Sequence, residues 1–129
     1  MKLLTGKMIA GLTLIEMTLV VAVLLLLITV LFIGASAYSE GTNRASCILN
    51  ISNLQKAARA YQNVYELVPG NSLSSTWLVG PGKFVETAPV CKSGGTYSYA
   101  TTVPPVGTAY LTCSLGAGGG HVPQSTTGW

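Results

Sequence analysis

The chain has 129 residues, with seven basic and four acidic side chains and a formal net charge of +3. Lys2 and Lys7 supply two of the basic charges, so the rest of the chain carries five basic and four acidic residues. This nearly neutral balance argues against a nucleic-acid-binding domain, which is usually strongly basic. The length leaves room for one small domain beside a long helix.

An apolar run dominates the amino-terminal part of the chain. Met17–Ser39 contains no charged residue, and as an α-helix it would be roughly 35 Å long at 1.5 Å per residue. The hydrocarbon core of a bilayer is about 30 Å thick, and a backbone in lipid must satisfy its own hydrogen bonds. We therefore predict a membrane-spanning helix. Lys2 and Lys7 should stay on the cytoplasmic side, which places the carboxy-terminal part outside.

Two other features of this run need an interpretation. Ala35-Ser36-Ala37 has the form of a signal-peptidase cut site, but the apolar core before it is much longer than the roughly 7–15 residues of an ordinary signal. Glu16 stands at the start of the run, and a carboxylate at the centre of a membrane helix costs on the order of 2.5–3.5 kcal/mol. Glu16 is therefore either solvated at headgroup level or reserved for a cationic partner.

The spacing around Glu16 resembles a known pattern. Lys7-x-x-x-Gly11, then Leu12-Thr13-Leu14-Ile15-Glu16 and an uninterrupted apolar helix, is similar to the amino terminus of type IV prepilins and type II secretion pseudopilins. That family usually has Phe at the position of Leu12. The resemblance implies that residues 1–11 are a leader peptide, and that a prepilin peptidase cuts between Gly11 and Leu12 and N-methylates Leu12. It also implies that Glu16 acts in assembly.

The resemblance also implies partners and a location. The ammonium created at Leu12 could pair with Glu16 of a neighbouring subunit, and removing one partner of a buried ion pair typically costs about 3–5 kcal/mol. The implied partners are further copies of the chain in a helical homopolymer, other pilin-like subunits, the prepilin peptidase, an inner-membrane assembly platform and, before assembly, the lipid bilayer. The implied location is the inner membrane, as a single-pass protein, and then a periplasmic or cell-surface filament.

The next segment continues the helix. We expect a membrane or filament-core half over 12–39 and an amphipathic half over 40–68. The apolar residues of the second half repeat at helical spacing along one face, namely Ile48, Ile51, Leu54, Ala58, Tyr61, Tyr65 and Val68. Such a face needs a partner surface, and a short coiled coil is the alternative reading. Pro69-Gly70 should end the helix.

Residues 69–129 should form a small β-rich outer domain. Ser75–Val79 and Lys83–Thr87 around Gly80-Pro81-Gly82 indicate one strand pair. Thr96–Thr101 and Thr108–Cys113 indicate a second pair, and the Gly-rich tail indicates a loop. A domain this small has a thin core, so the sheet should pack on the apolar face of the helix.

The cysteines offer a second source of stability. A disulfide between Cys91 and Cys113 would close a loop of about 20 residues, worth roughly 3 kcal/mol in the chain-entropy model. The segment from Cys91 to Tyr99 followed by Cys113-Ser114 also resembles a Cys-stapled hairpin of one pseudopilin-like subset, which often has Pro at the position of Lys92. Cys47 is left over as a packed thiol, although an intersubunit or redox role and a different pairing remain open.

Other chemistry finds little support in the sequence. Three cysteines and His121 could suggest zinc, but their positions include no closely spaced pair, so we predict no metal and expect His121 to be an exposed loop residue. Glu86 is the only carboxylate after residue 69, which leaves no charged cage for calcium. The absence of Asp rules out a Ser/His/Asp set. We therefore predict no catalytic residues, no cofactor and no enzymatic activity.

We predict an α+β, pilin-like fold, in which one long amino-terminal helix packs on a small antiparallel sheet. The expected function is that of a structural subunit of a type II secretion pseudopilus or type IV pilus-like filament, with the small domain favouring a major pseudopilin. One alternative is a minor pilin that binds a surface, a substrate or DNA through exposed aromatic side chains, drawn from Tyr97, Tyr99, Tyr110, Trp77 and Trp129. Another is an anchored domain that is never processed.

Overall fold

The computed structural model describes Gly11 and residues 13–129. Its elements are α1 (Leu14–Val64), α2 (Ser75–Leu78), β1 (Tyr97–Tyr99), β2 (Leu111–Cys113) and α3 (Gly116–Gly119). The chain divides into two compact units, one ending at Ala37 and the other comprising Tyr38–Trp129. One long amino-terminal apolar helix and a two-stranded antiparallel sheet give the α+β layout that the sequence predicts.

The first part of α1 is long and apolar enough to cross a membrane. Its apolar side chains are exposed throughout, from Leu14 at 84% to Ile33 at 74%. The helix continues without a break through Gly34 and Gly41, although glycine in a helix interior costs about 1 kcal/mol relative to alanine. Bonds from threonine and serine hydroxyls to carbonyls three or four residues earlier, such as Thr29 Oγ1 to the Leu26 oxygen at 2.7 Å, keep these polar groups satisfied within the helix.

The carboxy-terminal end of α1 lies earlier than predicted. The helix ends at Val64 rather than at Val68. Glu66 adopts the left-handed conformation, with φ of 52°, and the N–H of Leu67 donates to the carbonyl of Gln62 at 2.9 Å. This is the Schellman arrangement that closes many helices, usually with glycine at the left-handed position. The chain therefore leaves the helix before Pro69 can terminate it, and Tyr65 and Val68 are exposed rather than part of the packed face.

The core of the second unit forms where α1 meets the sheet. Cys47, Ile51, Leu54 and Ala58 lie on one face of the helix and are buried to 1% exposure. They form one cluster with buried residues of the rest of the unit, which are Leu73, Leu78, Cys91, Val103, Tyr110, Leu111 and Cys113. The prediction that an amphipathic helical half packs on the sheet is confirmed for this stretch of α1.

The second predicted strand pair is confirmed in a shorter form. β1 and β2 are antiparallel, with Tyr97 opposite Cys113, Ser98 opposite Thr112 and Tyr99 opposite Leu111. Leu111 and Cys113 are buried and Thr112 is exposed, as the two-residue alternation of a strand requires. The guanidinium of Arg59 on α1 holds two segments, because it donates to the carbonyl of Pro104 between the strands at 2.9 Å and to the main-chain oxygen of Trp129 at 2.9 Å.

The first predicted strand pair is wrong. Ser75–Leu78 forms the short helix α2, and the segment beyond it makes only an isolated parallel bridge between Val79 and Val85. The cause is local, because the Ser74 hydroxyl accepts a hydrogen bond from the N–H of Thr76 and caps the helix. Such side-chain bonds to nearby backbone offer an alternative to strand pairing. The predicted loop after Cys113 also contains the one-turn helix α3.

Candidate functional site

The amino-terminal candidate residues lie at the start of α1. Gly11 is exposed and outside the helix, whereas Leu12 lies outside the described residues. The N–H of Glu16 donates to the hydroxyl of Thr13 at 3.3 Å and to its carbonyl at 3.0 Å. The hydroxyl of Thr13 thus caps the start of α1, and Thr13-Leu14-Ile15-Glu16 has the sequence of a capping box. The side chain of Glu16 is exposed, and the negative charge favours the helix amino terminus.

The fold brings together four residues whose spacing along the sequence argued against a shared site. The three thiol sulfurs of Cys47, Cys91 and Cys113 and the imidazole of His121 all lie within 4.8 Å of one another. All four residues are buried, with His121 at 0% exposure. The expectation that His121 is an exposed loop residue is therefore wrong. We refer to these four side chains as the thiol–imidazole cluster.

Each member of this cluster comes from a different part of the fold. Cys47 is on the buried face of α1, Cys113 ends β2, and Cys91 lies in the turn before β1. His121 follows α3, where Gly120 takes the left-handed conformation with φ of 66° and turns the chain back toward the core. Spacing along the sequence could not reveal this convergence, because it depends on the packing of α1 against the sheet.

The turn that carries Cys91 has little room beside the sulfurs. A Cβ atom on Gly95 would lie 2.8 Å from Sγ of Cys113 and 3.2 Å from Sγ of Cys91. Only glycine therefore fits at this position without a shift of the cluster. All three cysteines are free thiols in the structure. The disulfide between Cys91 and Cys113 stays a prediction. The fold places the two sulfurs within 4.8 Å of each other.

The imidazole of His121 connects the thiols to a carboxylate. Its Nδ1 lies 3.5 Å from Sγ of Cys91, and its Nε2 lies 3.5 Å from Oε1 of Glu40. Nε2 is fully buried and makes no hydrogen bond of normal geometry with any residue that the structure describes. The hydroxyl of Ser93 donates to both carboxylate oxygens of Glu40, at 3.2 and 3.3 Å. Glu40 is thereby held where it faces the far side of the ring.

The thiols differ in acidity because their surroundings differ. Burial tends to raise the pKa of Cys91, but hydrogen bonds from the backbone N–H groups of Ser93 and Gly95 and from the other thiols outweigh burial and lower this pKa from 9.0 to about 7. Burial raises the pKa of Cys47 to about 12, although a hydrogen bond from the Tyr97 hydroxyl acts in the opposite direction and lowers it. The thiol of Cys91 therefore ionises at a lower pH than that of Cys47.

The aromatic residues proposed for binding occupy different environments. Tyr110 is 1% exposed and its hydroxyl donates to the carbonyl of Leu73 at 3.2 Å, so it is a core residue. Tyr97, Tyr99 and Trp129 are half-buried and pack against the core. Trp77 is the exposed member, and it belongs to an aromatic patch on the surface. The patch is centred on Tyr61. The ring centroids of its other members lie 4.3–6.0 Å from the ring centroid of Tyr61, and these members are Tyr65, Trp77 and Phe84.

The chain was also compared with known proteins. No family model, curated protein or solved structure matched it.

Among the predicted site residues, the structure brings Cys91 and Cys113 together and places Gly11 just before α1 and Glu16 in its first turn. The sequence reasoning missed Cys47 and His121 as neighbours of this thiol pair. One available signal was Cys47 itself, which falls on the same helical face as Ile51 and Leu54 and so had to point into the core. The burial of His121 had no comparable signal, since Gly-rich segments carry no periodic pattern.

Proposed function

We propose that the chain is a structural, non-enzymatic subunit of a type II secretion pseudopilus or type IV pilus-like filament. In this proposal a prepilin peptidase removes residues 1–11, and the mature subunit polymerises from the inner membrane. The observation that carries the proposal is the position of Glu16. It is the one carboxylate in the first turn of a helix whose next 23 residues, Met17–Ser39, bear no charge.

In a bundle of identical apolar helices, each helix needs an interaction that fixes its position along the bundle axis. Apolar side chains give a bundle cohesion but no axial register, because they slide past one another at little cost. A carboxylate at one depth supplies the register if each incoming helix brings an ammonium to it, since opposite charges attract strongly where water is excluded. Cleavage after Gly11 creates that ammonium at Leu12, four residues from Glu16 along the chain.

The fold of the second unit is compatible with this role. The exposed apolar side chains of the first part of α1 need either lipid or copies of themselves as neighbours. The second unit has its own core, formed by the later part of α1 and the sheet, and so does not require the apolar part for folding contacts. A filament with apolar helices inside and small domains outside would use both parts.

The direct test is the replacement of Glu16 by Gln. Glutamine also serves in a capping box with Thr13, so this change keeps the start of α1 and removes only the charge. We expect membrane insertion and leader removal to continue, and filament yield to fall at least tenfold. Glu86→Gln, at an exposed position in the second unit, is the matched control. Normal filaments from Glu16→Gln would refute the assembly role of Glu16.

A second candidate function is favoured by the aromatic patch. Trp77 and Phe84 are each 45% exposed and Tyr65 is 58% exposed, and aromatic side chains are frequent in binding surfaces. In this alternative the chain is a scarce minor subunit that binds a surface or a substrate. Quantification of the chain in purified filaments separates the two, because a major subunit makes up most of the filament mass.

A further inference from the structure

The thiol–imidazole cluster, formed by Cys47, Cys91, Cys113 and His121, has the composition of a structural metal site. We propose that these four side chains bind one Zn²⁺ ion, with three sulfur ligands and Nδ1 of His121 as the fourth. This site goes beyond the proposed filament function and does not depend on it.

The distances suit zinc. Zn–S bonds of about 2.3 Å and Zn–N bonds of about 2.0–2.1 Å place neighbouring ligand atoms of a tetrahedron roughly 3.5–3.8 Å apart. Nδ1 of His121 and Sγ of Cys91 are already 3.5 Å apart. All four ligand atoms lie within 4.8 Å of one another, so closure around the ion needs a contraction of at most roughly 1.0 Å along a sulfur–sulfur edge and 1.3 Å along a sulfur–nitrogen edge.

The surroundings of His121 supply a second, independent observation. A zinc-binding imidazole almost always gives its other ring N–H to a carboxylate, a carbonyl or water. Here Nε2 is fully buried without a hydrogen bond of normal geometry, and Oε1 of Glu40 lies 3.5 Å away. The hydroxyl of Ser93 orients this carboxylate. With Nδ1 bound to zinc, Nε2 carries the proton and donates it toward Glu40.

The turn around Cys91 fits the same role. The N–H of Gly94 donates to the carbonyl of Cys91 at 3.1 Å and closes this turn beside the sulfurs. Gly95 has no Cβ, and a Cβ at this position would collide with the sulfurs of Cys91 and Cys113. The glycines of Cys91-Lys92-Ser93-Gly94-Gly95 thus allow the backbone to wrap closely around the site.

The number of ligands determines the kind of site. Four protein ligands fill the coordination sphere of a structural zinc ion, whereas catalytic zinc keeps an open position. The ion would join α1, the turn before β1, the end of β2 and the segment after α3. A small domain with a thin core gains stability from such a staple, and the free energy of metal binding contributes directly to folding.

The zinc site and the Cys91–Cys113 disulfide exclude each other, because disulfide sulfurs are not thiolate ligands. The disulfide uses two of the four converging side chains. Zinc uses all four, and it also accounts for an imidazole that is fully buried between a thiol and a carboxylate. The observations therefore favour zinc over the disulfide.

The first experiment measures zinc and thiols together. The full chain is extracted in detergent from cells grown with added Zn²⁺ and purified without chelator or reductant. We expect one zinc ion per chain by mass spectrometry of the metal, and a denatured mass that shows no loss of two hydrogens. Replacement by Co²⁺ should give the intense visible absorption of tetrahedral cobalt–thiolate coordination. A chain lighter by two hydrogens and free of zinc would overturn the proposal.

Variants then assign the ligands. Cys47→Ser and His121→Gln should each lose the bound zinc, whereas the exposed Ser98→Ala on β1 should retain it. Cys47→Ser is decisive because a Cys91–Cys113 disulfide would be indifferent to it, and zinc retained at full stoichiometry in this variant would overturn the assignment. Glu40→Gln should still bind one zinc ion, with an affinity 10–100-fold lower. If a ligand variant fails to fold, the cobalt spectrum and zinc stoichiometry of the unmodified chain still decide the question.

Discussion

Oε1 of Gln55 accepts a hydrogen bond of 2.7 Å from the backbone N–H of Tyr110, and both residues are buried. The amide of Gln55 also donates to the carbonyl of Thr108 at 3.3 Å. One helical side chain thereby pairs with the N–H of Tyr110 just before β2, while the carbonyl of Tyr110 accepts a hydrogen bond from the N–H of Ala100 at 2.8 Å. This contact fixes α1 against the sheet by hydrogen bonds as well as by apolar packing.

Replacement of Gln55 by Leu should destabilise the second unit by about 1–3 kcal/mol, because it leaves the buried N–H of Tyr110 without an acceptor. Lys56→Ala, at the exposed neighbouring position, is the control and should stay within about 0.5 kcal/mol of the unmodified protein. Denaturant unfolding of the detergent-solubilised chain, followed by tryptophan fluorescence, measures both. Equal stability of the two variants would mean that the Gln55 contact contributes nothing net.

Gly95→Ala tests the close packing of the thiol–imidazole cluster. The added methyl group would meet Sγ of Cys113 at 2.8 Å and Sγ of Cys91 at 3.2 Å, so the turn or the sulfurs must move. Overpacking of this kind typically costs about 1–3 kcal/mol. Gly118→Ala is the matched control, since a Cβ there meets nothing within 4 Å. The midpoint temperature of thermal unfolding should fall for Gly95→Ala and stay unchanged for Gly118→Ala. A lower midpoint for Gly118→Ala than for Gly95→Ala would contradict this packing.

Glu66→Gly should stabilise the protein. Glu66 holds a left-handed conformation at the end of α1, which costs a residue with a side chain roughly 1–2 kcal/mol and costs glycine little. Glycine loses more freedom on folding, so the expected net gain is on the order of 0.5 kcal/mol. Glu66→Val should instead be destabilising, because β-branched residues tolerate this region poorly. A gain in stability from valine would show that Glu66 does not take this conformation in solution.

Alkaline pH should weaken the fold through Tyr110. Burial, with a smaller effect of neighbouring Tyr99, raises the pKa of Tyr110 from 10.0 to about 12. The unfolded chain therefore loses this proton first, and the stability contributed by the neutral phenol is complete below pH 10 and lost as pH rises toward 12. The expected slope is about 1.4 kcal/mol per pH unit for one tyrosine. In Tyr110→Phe the slope over this interval should be shallower, and an unchanged slope would exclude Tyr110 as its source.

The sequence predicted the parts of this fold that depend on periodic patterns. The apolar run after Glu16 predicted the first part of α1. The helical spacing of apolar residues predicted the buried face of the second part, which includes Ile51, Leu54 and Ala58. The alternation of apolar and polar residues around Leu111 and Cys113 gave β2 and its pairing with β1. In each case a local pattern and the tertiary packing require the same conformation.

The missed features depend on single side chains or on distant contacts. Ser74 turns a strand-like segment into α2 through one capping bond, and Glu66 ends α1 at a position where glycine would be expected. His121 is buried because Cys91 and Glu40 approach it from segments 30 and 81 residues away in the chain. No periodicity signals such contacts. The prediction of no metal considered only spacing along the chain, whereas the fold brings these four side chains together.

The central claim is that the chain is a processed filament subunit, and its most direct test is the intact mass of protein recovered from cells that contain a prepilin peptidase. The account predicts the mass of Leu12–Trp129 plus one methyl group. The same protein from cells without the peptidase should retain residues 1–11. A full-length mass in the presence of an active peptidase, or a cut near Ala37, would contradict the account and leave an anchored or secreted domain.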